Sequence, residues 1–157
     1  MPALSELPAA TASYTKTFAW GTGDDQVASI RFSSDSRFIA YISDASGEPE
    51  VYVSPVATPT QATRVSTRGA REMRWSRDGR ELFVLEADRR MVSVAVRTAP
   101  ALAIGATTTL FTLPEEMSWF DFDATPDGRR FIAVVNERAS GEQPATAIVG
   151  WRADAAR

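Results

Sequence analysis

Histidine and cysteine are both missing from the 157 residues. Without histidine there is no imidazole general base, and so no Ser-His-Asp or Cys-His arrangement. Without either residue there is no Cys/His zinc site, and without cysteine no disulfide. A thiol-free chain is equally at home in oxidising and reducing surroundings, so the absence says nothing of compartment. Lysine is nearly absent as well: Lys16 stands alone beside sixteen arginines. No run approaches ~18 consecutive apolar residues, so no membrane-spanning helix is expected. The opening stretch Met1-Pro2-Ala3-Leu4-Ser5-Glu6-Leu7-Pro8 carries no basic n-region, and Glu6 and Pro8 interrupt any apolar run. It therefore does not read as a signal peptide. The expected compartment is the cytoplasm by default.

What is present suffices for one domain with a real core, since 44% of residues are hydrophobic and 10% aromatic. Seventeen basic against 20 acidic residues give a net charge of −3, which excludes a chain-wide polycation built for nucleic acid or anionic lipid. The charge is uneven. Residues 1–60 hold 3 basic and 7 acidic groups, residues 61–100 hold 9 and 5, and residues 101–157 hold 5 and 8. A basic middle lies between acidic flanks.

Self-similarity is the strongest signal. Arg31-Phe32-Ser33-Ser34-Asp35-Ser36-Arg37-Phe38-Ile39-Ala40-Tyr41 aligns without gaps on Arg74-Trp75-Ser76-Arg77-Asp78-Gly79-Arg80-Glu81-Leu82-Phe83-Val84. Both align on Asp123-Ala124-Thr125-Pro126-Asp127-Gly128-Arg129-Arg130-Phe131-Ile132-Ala133. The aspartates fall 43 and then 49 residues apart, the period of one four-stranded propeller blade. In each unit an apolar strand leads into a polar turn and a second apolar strand follows. The aspartate is expected to accept an amide two residues on, and the next residue to take a positive φ that glycine favours. Asp35, Asp78, Gly79, Asp127 and Gly128 are thus read as structural turn residues. Ser36 replaces the glycine in the first copy, which predicts a turn of another type or one strained by about 1 kcal/mol.

Reading outward gives strands at Phe38–Ser43, Glu50–Val56, Gln61–Ser66, Glu72–Ser76, Glu81–Glu86, Met91–Arg97, Thr107–Leu113, Trp119–Thr125, Arg130–Asn136 and Thr146–Trp151, with no helical period anywhere. The expected fold is all-β: a β-propeller of three four-stranded blades, with units at about 27–66, 72–113 and 119–151. The third unit has three strands, and a spare strand at 12–20 is a candidate to complete it. Residues 1–11 are expected as a disordered tail before a single domain over 12–157. Three blades do not close a ring, because known propellers have about four to eight. Either a homodimer makes a six-bladed ring, or the chain is the tail of a longer propeller.

The stretch Phe32-Ser33-Ser34-Asp35 through Ala40-Tyr41-Ile42-Ser43-Asp44, followed by Glu50-Val51-Tyr52-Val53, resembles the repeats of TolB-type six-bladed β-propellers. Arg74 to Phe83, and Asp127 to Phe131 with Ile148-Val149-Gly150-Trp151, are similar to further copies. The resemblance implies half of a six-bladed TolB-like ring and a platform for a protein or peptide partner. Similar propellers form the sensory part of some bacterial Ser/Thr kinases and the gating domain of prolyl-oligopeptidase-like peptidases, so a detached C-terminal segment of such a protein is the alternative. A longer secreted TolB-like protein would place the chain in the periplasm. Fold analogy alone does not assign a function.

The candidate ligand contacts are Arg31 and Arg74, at equivalent repeat positions where they would hold a carboxylate or phosphate; the other reading of these positions is a salt bridge between blades with Asp or Glu. Asp121 and Asp123 join them, sharing one face of a strand where they would meet a cation or a basic peptide. Glu115-Glu116 with Asp121 is the one grouping that suggests a glycoside hydrolase, but neighbours in a strand point to opposite sides and make a poor dyad. No loop has calcium-site spacing. The aromatics Phe32, Phe38, Tyr41, Phe83, Trp119, Phe122 and Phe131 are expected to pack between blades. The reading from sequence is therefore a binding module recognising a protein or small ligand at the channel mouth. It is expected to be no enzyme, with no cofactor or metal, no nucleic-acid partner and no membrane insertion.

Overall fold

The computed structural model describes residues 26–114, 117–137 and 145–149. The tail at 1–11, the strand expected at 12–20, Glu115-Glu116 and Trp151 lie outside the described residues. Eleven strands and no helix occur among them. They are β1 (Val27–Phe32), β2 (Phe38–Ser43), β3 (Glu50–Pro55), β4 (Thr63–Arg64), β5 (Ala70–Trp75), β6 (Glu81–Glu86), β7 (Arg90–Arg97), β8 (Ala103–Thr112), β9 (Met117–Ala124), β10 (Phe131–Glu137) and β11 (Ala145–Val149). They form three antiparallel meanders in chain order, β1-β2-β3-β4, β5-β6-β7-β8 and β9-β10-β11.

The middle sheet is sandwiched, and the alternation of β6 explains how. Leu82 and Val84, with Met73 of β5 beside them, face the first sheet, where they join Phe38, Ala40, Ile42, Val51 and Val53 in one core. Phe83 and Leu85 point the other way and meet Phe122, Phe131 and Ala133 of the third sheet. Phe83 and Phe131 touch edge to face, with ring centroids 5.1 Å apart. A strand buried on both faces reads as a continuous apolar run, which is why the alternation is invisible in the sequence Leu82-Phe83-Val84-Leu85.

The three turns are alike, and a hydroxyl completes each. Ser33, Ser76 and Thr125 donate to Asp35, Asp78 and Asp127, and the same aspartates accept the amides of Arg37, Arg80 and Arg129 at 3.1 Å in every copy. The hydroxyl oxygens also accept the amides of Phe38, Glu81 and Arg130. Ser36 has φ +57°, beside +69° at Gly79 and +65° at Gly128. The first turn is therefore of the same type as the others, with a serine held in the left-handed region.

The join between the first two sheets is clamped by Glu50. Its buried carboxylate accepts from the Ser66 hydroxyl and from the Gly69 amide at 3.1 Å, while Ser66 Oγ accepts the Val51 amide at 2.8 Å. The Ala70 amide donates to the Pro49 carbonyl at 2.6 Å. The strands fall where they were expected with their ends shifted by a residue or two, and two of them change in length. The fourth strand of the first sheet shrinks to Thr63–Arg64, because the turn from Pro55 to Gln61 consumes its start. β8 begins at Ala103 rather than Thr107, and two register shifts against β7 accommodate the extra length.

Among the expected packing residues whose side chains are described, which leaves out Trp119, one is not packed. Phe32 is 60% exposed, and Ile30 is 43% exposed on the same strand. Period-two spacing identifies a strand face, but it does not say whether another sheet covers that face.

Candidate functional site

The innermost strands β1, β5 and β9 lie side by side across the three sheets. Each carries a register shift within a residue or two of the same repeat position: between Ala28 and Arg31, between Ala70 and Glu72, and opposite Val134 and Val135. Such bulges re-aim the side chains beside them. Ser29, Glu72 and Asp121 occupy one repeat position in the three copies, and Arg31, Arg74 and Asp123 occupy the position two residues on.

A polar chain runs through these residues. Ser29 Oγ donates to Glu72 Oε2 at 3.0 Å. Arg74 Nη1 reaches Glu72 Oε1 at 2.5 Å, and Arg74 Nη2 crosses to Asp121 on the next sheet. Arg74 also donates to the Met73 carbonyl, and its guanidinium sits 5.6 Å from the centre of the Phe122 ring. Its side chain retains only 14% exposure, so two carboxylates and a ring face already satisfy this cation. Of the two readings of Arg74, an anion contact and a salt bridge between blades, the geometry matches the second, with the cation tying two sheets together.

Asp121 and Asp123 remain on the open side. The Asp121 side chain is 58% exposed. Asp123 is exposed and accepts the Ala124 amide at 2.8 Å. Together with Arg74, Phe122 and Ile132 they line a hollow of about 280 Å³ whose surface carries one guanidinium and two carboxylates. Ile132, paired with Asp123 across the strands, is 45% exposed. Three of the four candidate residues thus meet in one place. Arg31 does not join them: it bonds the Ile30 carbonyl at 3.0 Å and makes no ion pair among the described residues. Among the described residues, no cluster of carboxylates is arranged to hold a metal ion.

A second polar cleft, of about 260 Å³, lies between the connection after β4, which carries Arg68, and the second sheet, which lines it with Glu86, Arg90, Thr107 and Thr109 among others. Burial pushes the Glu86 carboxyl above its ordinary value, although Arg90 stands 2.6 Å away and opposes the shift. Sequence reasoning missed this cleft. Its residues come from the connection after β4 and from β6, β7 and β8, which strand periodicity alone does not bring together.

No family model matches the chain, and no curated protein matches it. Solved structures do. An oligogalacturonate lyase from Vibrio parahaemolyticus matches with TM-score 0.53 at 16% identity, over 70% of this chain and 28% of its own. An oligogalacturonate lyase in complex with manganese matches with TM-score 0.56 at 16% identity, over 73% of this chain and 31% of that one. The Cps50 (Swd1) β-propeller domain of Myceliophteria thermophila matches with TM-score 0.54 at 14% identity, over 82% and 45%. The fold is propeller-like. The chain spans less than a third of the length of the lyases it matches. Of the TolB-type resemblance, the propeller-like fold is what these matches support.

These matches correct one expectation. The chain was expected not to be an enzyme, yet the structures that share its architecture include lyases. Missing histidine and cysteine exclude only the mechanisms that need those side chains within these 157 residues. They do not remove the architecture from the company of catalytic proteins.

Proposed function

We propose that the chain is a β-propeller segment, three four-stranded blades amounting to half of a six-bladed ring, that acts as an interaction module. Its recognition surface is the channel-side hollow at the end of the third blade. The partner it suits is a protein or peptide segment in which a basic side chain sits between apolar neighbours. The observation that carries this reading is the engagement of Arg74 by Glu72 and Asp121. With that cation satisfied, the open wall of the hollow is left with the Asp123 carboxylate beside the exposed Ile132. A carboxylate next to an exposed aliphatic surface favours a cationic group carrying apolar flanks.

The test is fluorescence anisotropy with labelled peptides that hold one arginine between two aliphatic or aromatic residues, against the same peptides with glutamate for arginine. The arginine peptides are expected to bind, and Asp123→Lys to weaken them at least tenfold. Equal or tighter binding of the glutamate peptides overturns the reading.

A further inference from the structure

The large apolar side chains exposed among the described residues are Ile30, Phe32 and Ile132. Each lies on one of the two end sheets and none on the middle one. The ends also differ in charge. Along the innermost strands the third sheet offers Asp121 and Asp123, while the first offers Ser29 and Arg31 at the same repeat positions. On β1 the exposed Ile30 and Phe32 share one face and Arg31 between them points to the other, so the strand offers both an apolar face and a basic residue to the hollow at Asp123 and Ile132. One chain cannot bring its own β1 to its own β9 side, because the middle sheet stands between them.

We propose that the partner is a second copy of this chain: β1 of one copy docks against the Asp123–Ile132 hollow of the other, and the same contact made twice closes a six-bladed ring. The inference rests on the reading of the chain as a half-ring interaction module. A head-to-tail contact generates a closed ring when its rotation completes a turn, and two arcs of three blades supply six. The junction continues the pattern within the chain. There Ser29 donates to Glu72, and Arg74 reaches forward to Asp121. Across the junction Asp123 meets the Ser29 and Arg31 side of the second copy. The channel wall is incomplete without that copy, since half of its inner strands belong to it.

The experiment is sedimentation velocity on the full chain, diluted from micromolar to nanomolar concentration, with charge-reversed variants. Neither Arg31 nor Asp123 is in an ion pair among the described residues, so their reversal leaves the fold intact by circular dichroism. The unsubstituted chain is expected at twice the monomer mass. Arg31→Asp and Asp123→Arg are each expected to weaken association at least tenfold, and the chain carrying both to regain it within threefold. Phe32→Asp weakens association, and Arg97→Asp on the middle sheet leaves it unchanged. A monomer at all concentrations overturns the proposal, and so does a dimer indifferent to both reversals or unrestored by the pair. If the chain is monomeric yet binds arginine peptides through Asp123, only the identity of the partner fails. If it does neither, the interaction reading falls too.

Discussion

The middle sheet and the two end sheets are built from one repeat but meet water differently. In β6 every residue from Leu82 to Glu86 is buried, with alternate side chains serving different cores. In β1 the alternate residues Ala28, Ile30 and Phe32 are exposed. The sequence grammar of a blade is the same at the ends as in the centre. What a side chain contributes is decided by whether a neighbouring sheet exists on its side, which is a property of the array rather than of the unit.

That contrast can be broken most forcefully by truncating one phenylalanine from each kind of sheet. Phe83→Ala empties a site packed between two sheets and should cost roughly 3–5 kcal/mol in chemical denaturation. Phe32→Ala, measured in the Asp123→Arg background at a concentration where that chain is monomeric, should change stability by no more than about 0.5 kcal/mol. Comparable losses would show that the first sheet is covered after all. A smaller effect separates the turns. Ser36→Gly should stabilise by up to about 1 kcal/mol, since it removes a side chain from the left-handed region, and Gly79→Ser should destabilise by about as much. Opposite signs in the two denaturation midpoints check this.

The smallest effects lie in pH. The hydroxyls of Ser33, Ser76 and Thr125, and then the backbone amides, hold Asp35, Asp78 and Asp127 below the ordinary aspartate value. Their stabilisation is complete above the unfolded value of about 3.9 and is lost as pH falls through the lower folded values. Asp78→Asn should therefore flatten the acid limb of a stability–pH curve. Glu86 behaves in the opposite sense, because burial raises it. Its contribution is present below the unfolded value of about 4.3 and is lost as pH rises through the folded one. Glu86→Gln should thus make stability less sensitive to rising pH just above that range, and an unchanged slope there would contradict the account.

Much of this was legible from the residues. The aligned aspartates located three equivalent turns, and the amide bonds two residues on occur as spacing predicts. Their hydroxyl partners were visible in the same aligned columns, as Ser33, Ser76 and Thr125, but a serine before a turn is too common to stand out. Ser29, Glu72 and Asp121 also shared a column. Their connection through Arg74 depends on how adjacent sheets are offset, and strand periodicity carries no record of that. Phe32 misled for a related reason: an apolar residue on a strand looks the same under a neighbour as without one. The lack of histidine excludes the mechanisms that need an imidazole within these residues, and the expectation that the chain is no enzyme went beyond that.

The Glu50 clamp has a consequence for how the molecule comes apart. One carboxylate at the start of β3 holds both Ser66 and Gly69, and the next residue, Ala70, opens β5 with its amide on Pro49. The first sheet cannot peel away without releasing the leading strand of the second. Units joined in this manner share a fate: opening one breaks the hydrogen bonds of a shared carboxylate and loosens the next, so the intermediate with one unit melted is costly. The expected result is a single heat-absorption peak whose calorimetric and van't Hoff enthalpies agree, as in a protein with no repeats at all.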